Sequence, residues 1–259
     1  MSVFLFDKII FGPVRSRRLG ISLGINLLPL ESKLCNFNCI YCECGWTPGK
    51  QESKTLFHPR QIVAQELEKT LDEMSINYED LDVITYAGNG EPTMHPDFEG
   101  IIEDTIKIRN KYFPRVRIAV LSNATRIHKD SVFRALNQIE DNILKLDSVI
   151  PETIRLINNP KGHYNVDEII ENLKKFKGNV NIQTMFVKGF YKGQIVDNTT
   201  EDELTSWIDA LNQIKPKQVM IYTIARDTPA PELVKVNLNE LEKIGQRLEK
   251  EGFKVHISA

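Results

Sequence analysis

The chain has 259 residues, of which 41% are hydrophobic and 26% charged, a composition that excludes a disordered or fibrous protein. Its 33 basic and 35 acidic residues leave a formal charge of −2, which excludes a protein that binds nucleic acid over its whole surface. No apolar run reaches the ~18 residues of a membrane span, and Asp7 and Lys8 end the apolar start too early for a secretory signal. We therefore expect a cytoplasmic protein with no membrane partner.

Short, apolar, β-branched segments alternate with helical patterns along the chain. The segments predict buried parallel strands over residues 22–28, 82–87, 116–122, 143–147, 181–187 and 218–224, with a short last strand at 253–257. Apolar residues at helical spacing predict helices over residues 63–74, 98–106, 166–176, 204–214 and 241–248. Thr200 with Glu203, and Asn165 with Glu168, have the spacing of N-terminal helix caps.

This order of elements predicts the fold class. A strand followed by a helix about six times indicates an α/β protein whose parallel sheet has right-handed crossovers. Six units are too few to close an eight-stranded barrel, so we expect a partial (β/α)6 TIM-like barrel that is open on one side. Residues 1–20 precede the first predicted strand, and we expect them to be an N-terminal extension of a core domain that spans residues 21–259.

All four cysteines lie within ten residues, at Cys35, Cys39, Cys42 and Cys44. Such a cluster cannot join distant segments by disulfides, and in a cytosolic protein it indicates metal binding or redox chemistry. The CxxxCxxC spacing of the first three suits one face of a [4Fe–4S] cluster, whose fourth iron is then left for a ligand that the protein does not supply. A zinc site, or a chance cluster of buried thiols, is the alternative. We expect Cys44 to be an incidental small residue.

Polar residues interrupt or close the predicted strands where parallel α/β folds bind their ligands. They follow, end or lie within five different strands and are Gly88, Asn89, Gly90, Glu91, Ser122, Asn123, Asp147, Gln183 and Thr223. Each alone is typical of an ordinary strand end or turn. Their occurrence together, beside a cysteine loop that follows the first strand, predicts a binding site at this edge of the sheet.

Two motifs together resemble one enzyme family. Cys35 to Cys42, with Tyr41 before the last cysteine, resembles the signature of the radical S-adenosylmethionine (radical SAM) enzymes, and Gly88 to Glu91 resembles their Gly-Gly-Glu segment. Asn89, between the two glycines, departs from the common pattern. Residues 11–20 and 88–93 are similar to the branch of wyosine-base-formation-like Fe–S oxidoreductases.

The resemblance implies a mechanism and the cofactors for it. Cys35, Cys39 and Cys42 would ligate a [4Fe–4S] cluster, and S-adenosyl-L-methionine would bind the fourth iron and be cleaved reductively to a 5′-deoxyadenosyl radical that abstracts hydrogen from substrate. Gly90 would let the methionyl group approach, and Glu91 would accept from its ammonium. Asp147 would bind the ribose hydroxyls. The remaining cofactor contacts would come from Gly88, Asn89, Ser122, Asn123, Gln183 and Thr223.

The partners follow from the family and from local charge. The resemblance implies a low-potential electron donor, a flavodoxin or ferredoxin. Residues 1–60 carry eight basic and four acidic side chains, and Arg15, Arg17 and Arg18 are suited to clamp a phosphate or carboxylate. This local positive charge favours RNA as the substrate, and a protein or peptide substrate remains the alternative. A non-catalytic Fe–S or zinc-binding module on an α/β scaffold is the alternative function.

Overall fold

The computed structural model describes residues 4–49 and 57–259. The strands in these ranges, β1 to β10, are Ile10–Ser16, Gly20–Ile25, Val83–Tyr86, Arg117–Ser122, Asp141–Lys145, Asn181–Tyr191, Gln194–Asp197, Gln218–Thr223, Leu233–Lys235 and Val255–Ser258. The helices, α1 to α7, are Arg60–Ile76, Phe98–Tyr112, Asp130–Asn137, Pro151–Ile157, Val166–Lys174, Glu201–Ile214 and Leu238–Lys250. Within the same ranges, no helix has both the length and the apolar character needed to cross a membrane.

The strands form one mostly parallel, curled sheet. Its order is β1-β2-β3-β4-β5-β6-β8-β10, and every pair from β2 to β10 is parallel. Helices occupy each crossover between these strands, as a parallel sheet requires. The predicted α/β class and half-barrel shape are therefore confirmed. The first parallel strand ends at Ile25 rather than at residue 28, because the Asn26 side chain accepts from the Leu28 and Asn89 amides and turns the chain.

The segment before the first parallel strand is itself a strand, which the sequence analysis did not predict. β1 pairs antiparallel with β2, from Ile10 opposite Ile25 to Ser16 opposite Gly20. A run of exposed residues in its middle hides the alternation that would have identified it. The turn between β1 and β2 lies close to the other end of the sheet. There the Arg18 guanidinium is 4.5 Å from the centre of the Tyr222 ring in β8. The two ends of the sheet thus approach each other.

Each predicted helix face packs against the sheet. The buried positions of α1 are Val63, Leu67, Leu71 and Met74, as the sequence spacing predicts, and they join the main core. Thr200 caps α6 by accepting from the Glu203 amide, and Asn165 caps α5 in the same way. The short helices α3 and α4 were not predicted, because two turns of chain give too few repeats for a clear period.

Backbone hydrogen bonds fasten the cysteine-containing segment, which lies between β2 and α1, to the strand ends. The Leu34 amide donates to Asn89 O at 2.8 Å, and Leu34 O accepts from the Glu91 amide at 3.0 Å. Gly90 lies between them with φ of +143°, and a Cβ built there would be 1.8 Å from Leu34 O. A side chain at Gly90 would therefore separate the segment from the sheet.

Gly90→Ala is expected to lower the free energy of unfolding by about 3 kcal/mol, because it adds a backbone clash to an unfavourable φ. Gly162→Ala is the matched control, since Gly162 also has a positive φ, +85°, but no atom within 4 Å of its built Cβ. The control is expected to lose about 1 kcal/mol, from conformation alone. Urea unfolding of both variants measures the difference, and equal losses would contradict the packing role of Gly90.

Candidate active site

A cavity of about 350 Å³ lies at the carboxyl ends of the parallel strands. Its wall includes the sulfur-bearing side chains of Cys35, Cys39, Cys42 and Cys44. Strand-end residues on the same wall are Gly88, Gly90, Glu91, Ser122, Asn123, Gln183 and Thr223. The structure therefore brings together the predicted cysteines and seven of the nine predicted cofactor contacts. The other two, Asn89 and Asp147, are buried outside the lining.

The cysteine segment has no regular secondary structure of its own and is held by its neighbours. The Ile40 amide donates to Ile157 O at the end of α4, and Ile40 O accepts from the Ala230 amide. Phe37 and Ile40 are nearly fully buried in an apolar cluster that also contains Cys39. These contacts fix the segment over the strand ends, so the three predicted ligands occupy defined positions.

Amide groups donate to two of the three sulfurs. The Asn123 side chain lies 3.6 Å from Cys35 Sγ, and the Asn158 side chain lies 3.6 Å from Cys39 Sγ. The Phe37 backbone amide also donates to Cys35 Sγ, at 3.4 Å. Donors placed on sulfur stabilise a thiolate, and they are one of the means by which proteins tune iron–sulfur clusters. Asn158 was missed by the sequence analysis, because an asparagine after a short helix carries no pattern.

A buried lysine compensates charge beside the cysteines. Lys33 is only 2% exposed and donates to Gly45 O at 2.9 Å. Burial lowers the pKa of Lys33, but the negative charge of the three predicted ligand thiolates outweighs it, so the pKa lies above its usual value. In contrast, burial raises the pKa of the Cys35 thiol to about 12. The charge of Lys33 opposes this rise in the pKa of Cys35 without cancelling it.

Cys42 and Cys44 behave as a pair. A hydrogen bond from Cys44 and the charge of Lys33 lower the pKa of Cys42, to about 5, against the effect of burial. The neighbouring Cys42 and burial raise the pKa of Cys44. Its Sγ also lies 3.4 Å from Gly88 O, which is the alternative acceptor for its one proton. Cys44 therefore lies in the cavity wall beside the predicted ligand Cys42.

Glu91 holds the ends of β3 and β4 together. Its Oε1 accepts from the Thr93 amide at 3.0 Å and from Ser122 Oγ at 2.8 Å, and its Oε2 accepts from the Asn123 amide at 2.7 Å. Burial raises its pKa, and these donors oppose that rise. Glu91 also lines the cavity. The carboxylate is thus fixed in one orientation at the wall where a cationic ligand group would meet it.

Asn89 has a different role from the predicted cofactor contact. Its side chain accepts from the Phe6 amide at 2.8 Å and donates to Phe6 O and Pro29 O. It is fully buried by these contacts and fastens the N-terminal segment to the strand end. The missing Cβ of Gly90 also makes room for Leu34 O, which lies 1.8 Å from a Cβ built there.

The predicted contact of Asp147 with ribose hydroxyls does not fit its position. The Asp147 carboxylate lies beneath the cysteine segment with no solvent exposure. One oxygen accepts from the Tyr41 hydroxyl and from Asn158 at 2.7 Å, and the other accepts from the Met185 amide at 2.8 Å. Both oxygens are therefore occupied, and Asp147 positions Tyr41 and Asn158.

Lys145 and Tyr222 were not predicted as site residues, yet they line the cavity. Lys145 Nζ donates to the Tyr222 hydroxyl at 3.1 Å and lies 3.6 Å from Asp147. Burial lowers the pKa of Lys145, but the negative charge of Asp147 outweighs it, so the pKa is raised. A lysine at the end of a buried strand, two residues before an aspartate, was the available signal.

Thr223, a predicted cofactor contact, lines the cavity at the end of β8. Its Oγ1 accepts from the Val236 amide at 2.9 Å.

The donor set fits an iron–sulfur cluster. Three thiols on one wall, with amide donors and a buried cation, are the features that stabilise a cluster held by cysteines. Across residues 4–49 and 57–259, no three His, Cys, Asp or Glu side chains are placed to hold one metal ion together.

Comparisons of the sequence with known proteins point to one family. The family model of the radical SAM superfamily matches residues 32–200. The chain is 30% identical over 243 residues to a protein of Brachyspira hyodysenteriae named GTPase Obg, covering 92% of this chain but 33% of that protein. It is 29% identical over 226 residues to a UPF0026 protein of Methanocaldococcus jannaschii, covering 84% and 64% of the two chains. The chain thus spans one to two thirds of these relatives.

Solved structures share the fold at low identity. A radical SAM methyltransferase from Sphaerobacter thermophilus matches with a TM-score of 0.66 and 12% identity, covering 92% of this chain and 65% of that one. SuiB of Streptococcus suis, bound to S-adenosylmethionine, matches with a TM-score of 0.63 and 15% identity, covering 91% and 50%. Enzymes of the superfamily use a [4Fe–4S] cluster and S-adenosylmethionine. Because the family model covers more than half of the residues of this chain, the chain belongs to the radical SAM superfamily.

Proposed function

We propose that the protein holds a [4Fe–4S] cluster through Cys35, Cys39 and Cys42 and uses it with S-adenosylmethionine to abstract hydrogen from a substrate. The observation that carries this proposal is that all three cysteines share a cavity wall with Glu91 and Ser122. When bound, the reduced cluster and S-adenosylmethionine supply a 5′-deoxyadenosyl radical as the hydrogen-abstracting agent.

The chain's own residues then orient and shield the reactants. Glu91 would accept from the ammonium of S-adenosylmethionine, because its carboxylate is already fixed by donors from the adjoining loops. Ser122 and Asn123 extend the same wall, and Thr223 lies on the cavity at the end of β8. The backbone of Gly88 and Gly90 provides further polar contacts. Asn89 and Asp147 act through the segments that they hold.

The compartment and the electron donor are part of the proposal. None of the four cysteines forms a disulfide, which suits the reducing environment of the cytoplasm. A flavodoxin or ferredoxin is the kind of low-potential donor that cluster reduction needs. Electrons from this donor must reach the cysteine segment from the protein surface. Trp46, four residues beyond Cys42, is 39% exposed and is the first exposed residue after the three predicted ligands.

The substrate class that we favour is RNA. Arg15 and Arg17 are exposed on and after β1, and Arg17 and Arg18 line the cavity. Two further lysines of the basic segment, Lys50 and Lys54, lie outside the described residues. A protein or peptide is the other class, and SuiB, which shares the fold, has been solved bound to its precursor peptide SuiA.

Anaerobic reconstitution with iron and sulfide, then dithionite and S-adenosylmethionine, is expected to yield 5′-deoxyadenosine. Chromatography of the products measures it, and a sample without dithionite is the control. A cluster-loaded sample that forms none would favour a non-catalytic Fe–S module. A protein that contains zinc and no iron would favour a zinc module instead.

Cys39→Ser is expected to abolish the cluster, because it removes a predicted iron ligand. Cys44→Ser is the matched control in the same segment and is expected to keep both the iron content and the visible absorption of the cluster. Iron analysis and absorbance after reconstitution measure the two variants. Loss of the cluster in Cys44→Ser alone would show that the ligand set has been assigned wrongly.

Removing the charges of Arg15 and Arg17 is expected to weaken crosslinking to transfer RNA. The salt slope of binding is expected to fall by about 1 for each phosphate that the variant no longer neutralises. Lys107→Gln with Arg115→Gln is the charge-matched control, because these exposed residues do not line the cavity. Crosslinking that is equally weak in the control and the variant would favour a protein or peptide substrate.

A further inference from the structure

The inner face of the sheet carries buried donors that lack acceptors. Arg18 Nη1 and Gln183 Nε2 are both inaccessible to solvent, and neither has a hydrogen-bond partner in the part of the chain that the structure describes. Both residues line the cavity, and Gln183 is only 6% exposed. A buried donor without an acceptor costs about 1–3 kcal/mol, and more when it is charged. Two such donors on one cavity indicate a ligand with acceptor oxygens.

The sheet register places Gln183 close to the cationic side chains of this part of the cavity. Gln183 in β6 is paired with Lys145 in β5 and with Met220 in β8, and the next residue on the inner face of β8 is Tyr222. Arg18 lies over the Tyr222 ring, and Lys145 donates to the Tyr222 hydroxyl. One polar wall thus joins Gln183, Arg18 and Lys145.

Arg18 differs from the other cations of the cavity in its partners. Lys145 lies 3.6 Å from Asp147, Arg226 pairs with Glu43 at 2.7 Å, and Lys33 faces the cysteines. Arg17, which is exposed, donates to Ala259 O at 3.2 Å. Among the described residues no carboxylate pairs with Arg18, whose planar group stacks on an aromatic ring. Stacking fixes the plane of a guanidinium and leaves its N–H edge for an anion, which it binds through two parallel hydrogen bonds.

We propose that Arg18 and Gln183 bind an oxyanion, a carboxylate or a phosphate, of the substrate. The proposal rests on the proposed function, since it places this group in the cavity that the cysteines line. It also revises the predicted role of Gln183, which is separated from Ser122 and β4 by the intervening strand β5. S-adenosylmethionine would then occupy the wall of Glu91 and Ser122, and the substrate would be held against β6 and β8 by its charge.

The test uses the reconstituted protein with S-adenosylmethionine bound. Inorganic phosphate and acetate are titrated at constant ionic strength against chloride, and the midpoint of thermal unfolding is followed under nitrogen. At least one of the two anions is expected to raise the midpoint. Arg18→Gln is expected to weaken that apparent affinity about tenfold or more, because it removes a hydrogen-bonded charge. Gln183→Leu is expected to weaken it several-fold.

Two further variants separate binding from general charge effects. Arg18→Lys keeps the charge but not the paired N–H edge, and it is expected to restore part of the affinity. Arg115→Gln is the matched control, because Arg115 is exposed before β4, does not line the cavity and has no place in the proposed substrate site, and its anion response is expected to be unchanged. A response to phosphate alone would indicate a phosphorylated substrate, and a response to acetate alone a carboxylate.

Three results would overturn the proposal. One is a wild-type midpoint that neither anion raises above chloride. Another is an Arg115→Gln variant that loses as much affinity as Arg18→Gln. The third is an Arg18→Gln or Gln183→Leu variant whose calorimetric affinity for S-adenosylmethionine falls with that for the anion, which would assign these donors to the cofactor carboxylate. Formation of 5′-deoxyadenosine is measured separately, so a protein that binds the anion through Arg18 but forms none would contradict only the proposed function.

Discussion

The attachment of the cysteine segment to the strand ends is the constraint on which the site depends. The backbone groups of Leu34 and Ile40, in the segment between β2 and α1, are satisfied by stretches of chain that follow three other strands. Their partners are Asn89 and Glu91, Ile157, and Ala230. Each of these contacts is a hydrogen bond between main-chain atoms, which a buried irregular segment must find somewhere. The positions of the sulfurs are therefore set by the whole curled sheet. This explains why Gly90, a residue without a side chain, matters for geometry.

Charge within the site is distributed in two layers. Asp147 and Glu91 are buried carboxylates that accept from the loops around them, and Lys33 is a buried cation that faces the cysteines. Buried charges persist only when they are paired or hydrogen-bonded, so these groups hold the loops while they balance the thiolates. Arg18 and Gln183, in contrast, each have a buried N–H donor without a hydrogen-bond acceptor among the described residues. Asp147 and Lys33 therefore support the loops, Glu91 both supports them and faces the cavity, and Arg18 and Gln183 have donors left for a ligand.

The sequence pattern of polar strand ends predicted the cavity-lining residues well, with Asn89 and Asp147 as the exceptions. The spacing of the cysteines and the polar strand ends predicted which side chains share a cavity, because parallel strands place their carboxyl ends at one edge. Asn89 and Asp147 satisfied the same rule, yet they turn away from the cavity to bind the N-terminal segment and Tyr41. A strand end restricts a residue to an edge of the sheet, but the neighbouring loops decide where its side chain points.

The sequence by itself determined the half-barrel and the clustering of the cysteines, since periodicity and short-range spacing are local properties that every residue of a pattern carries. Only the tertiary structure decided the antiparallel strand β1, the donors from Asn123 and Asn158 to sulfur, and the approach of Arg18 to Tyr222. The physical reason is that these contacts join residues distant in the chain, whose pairing depends on how strongly the sheet curls. No local pattern encodes that curvature.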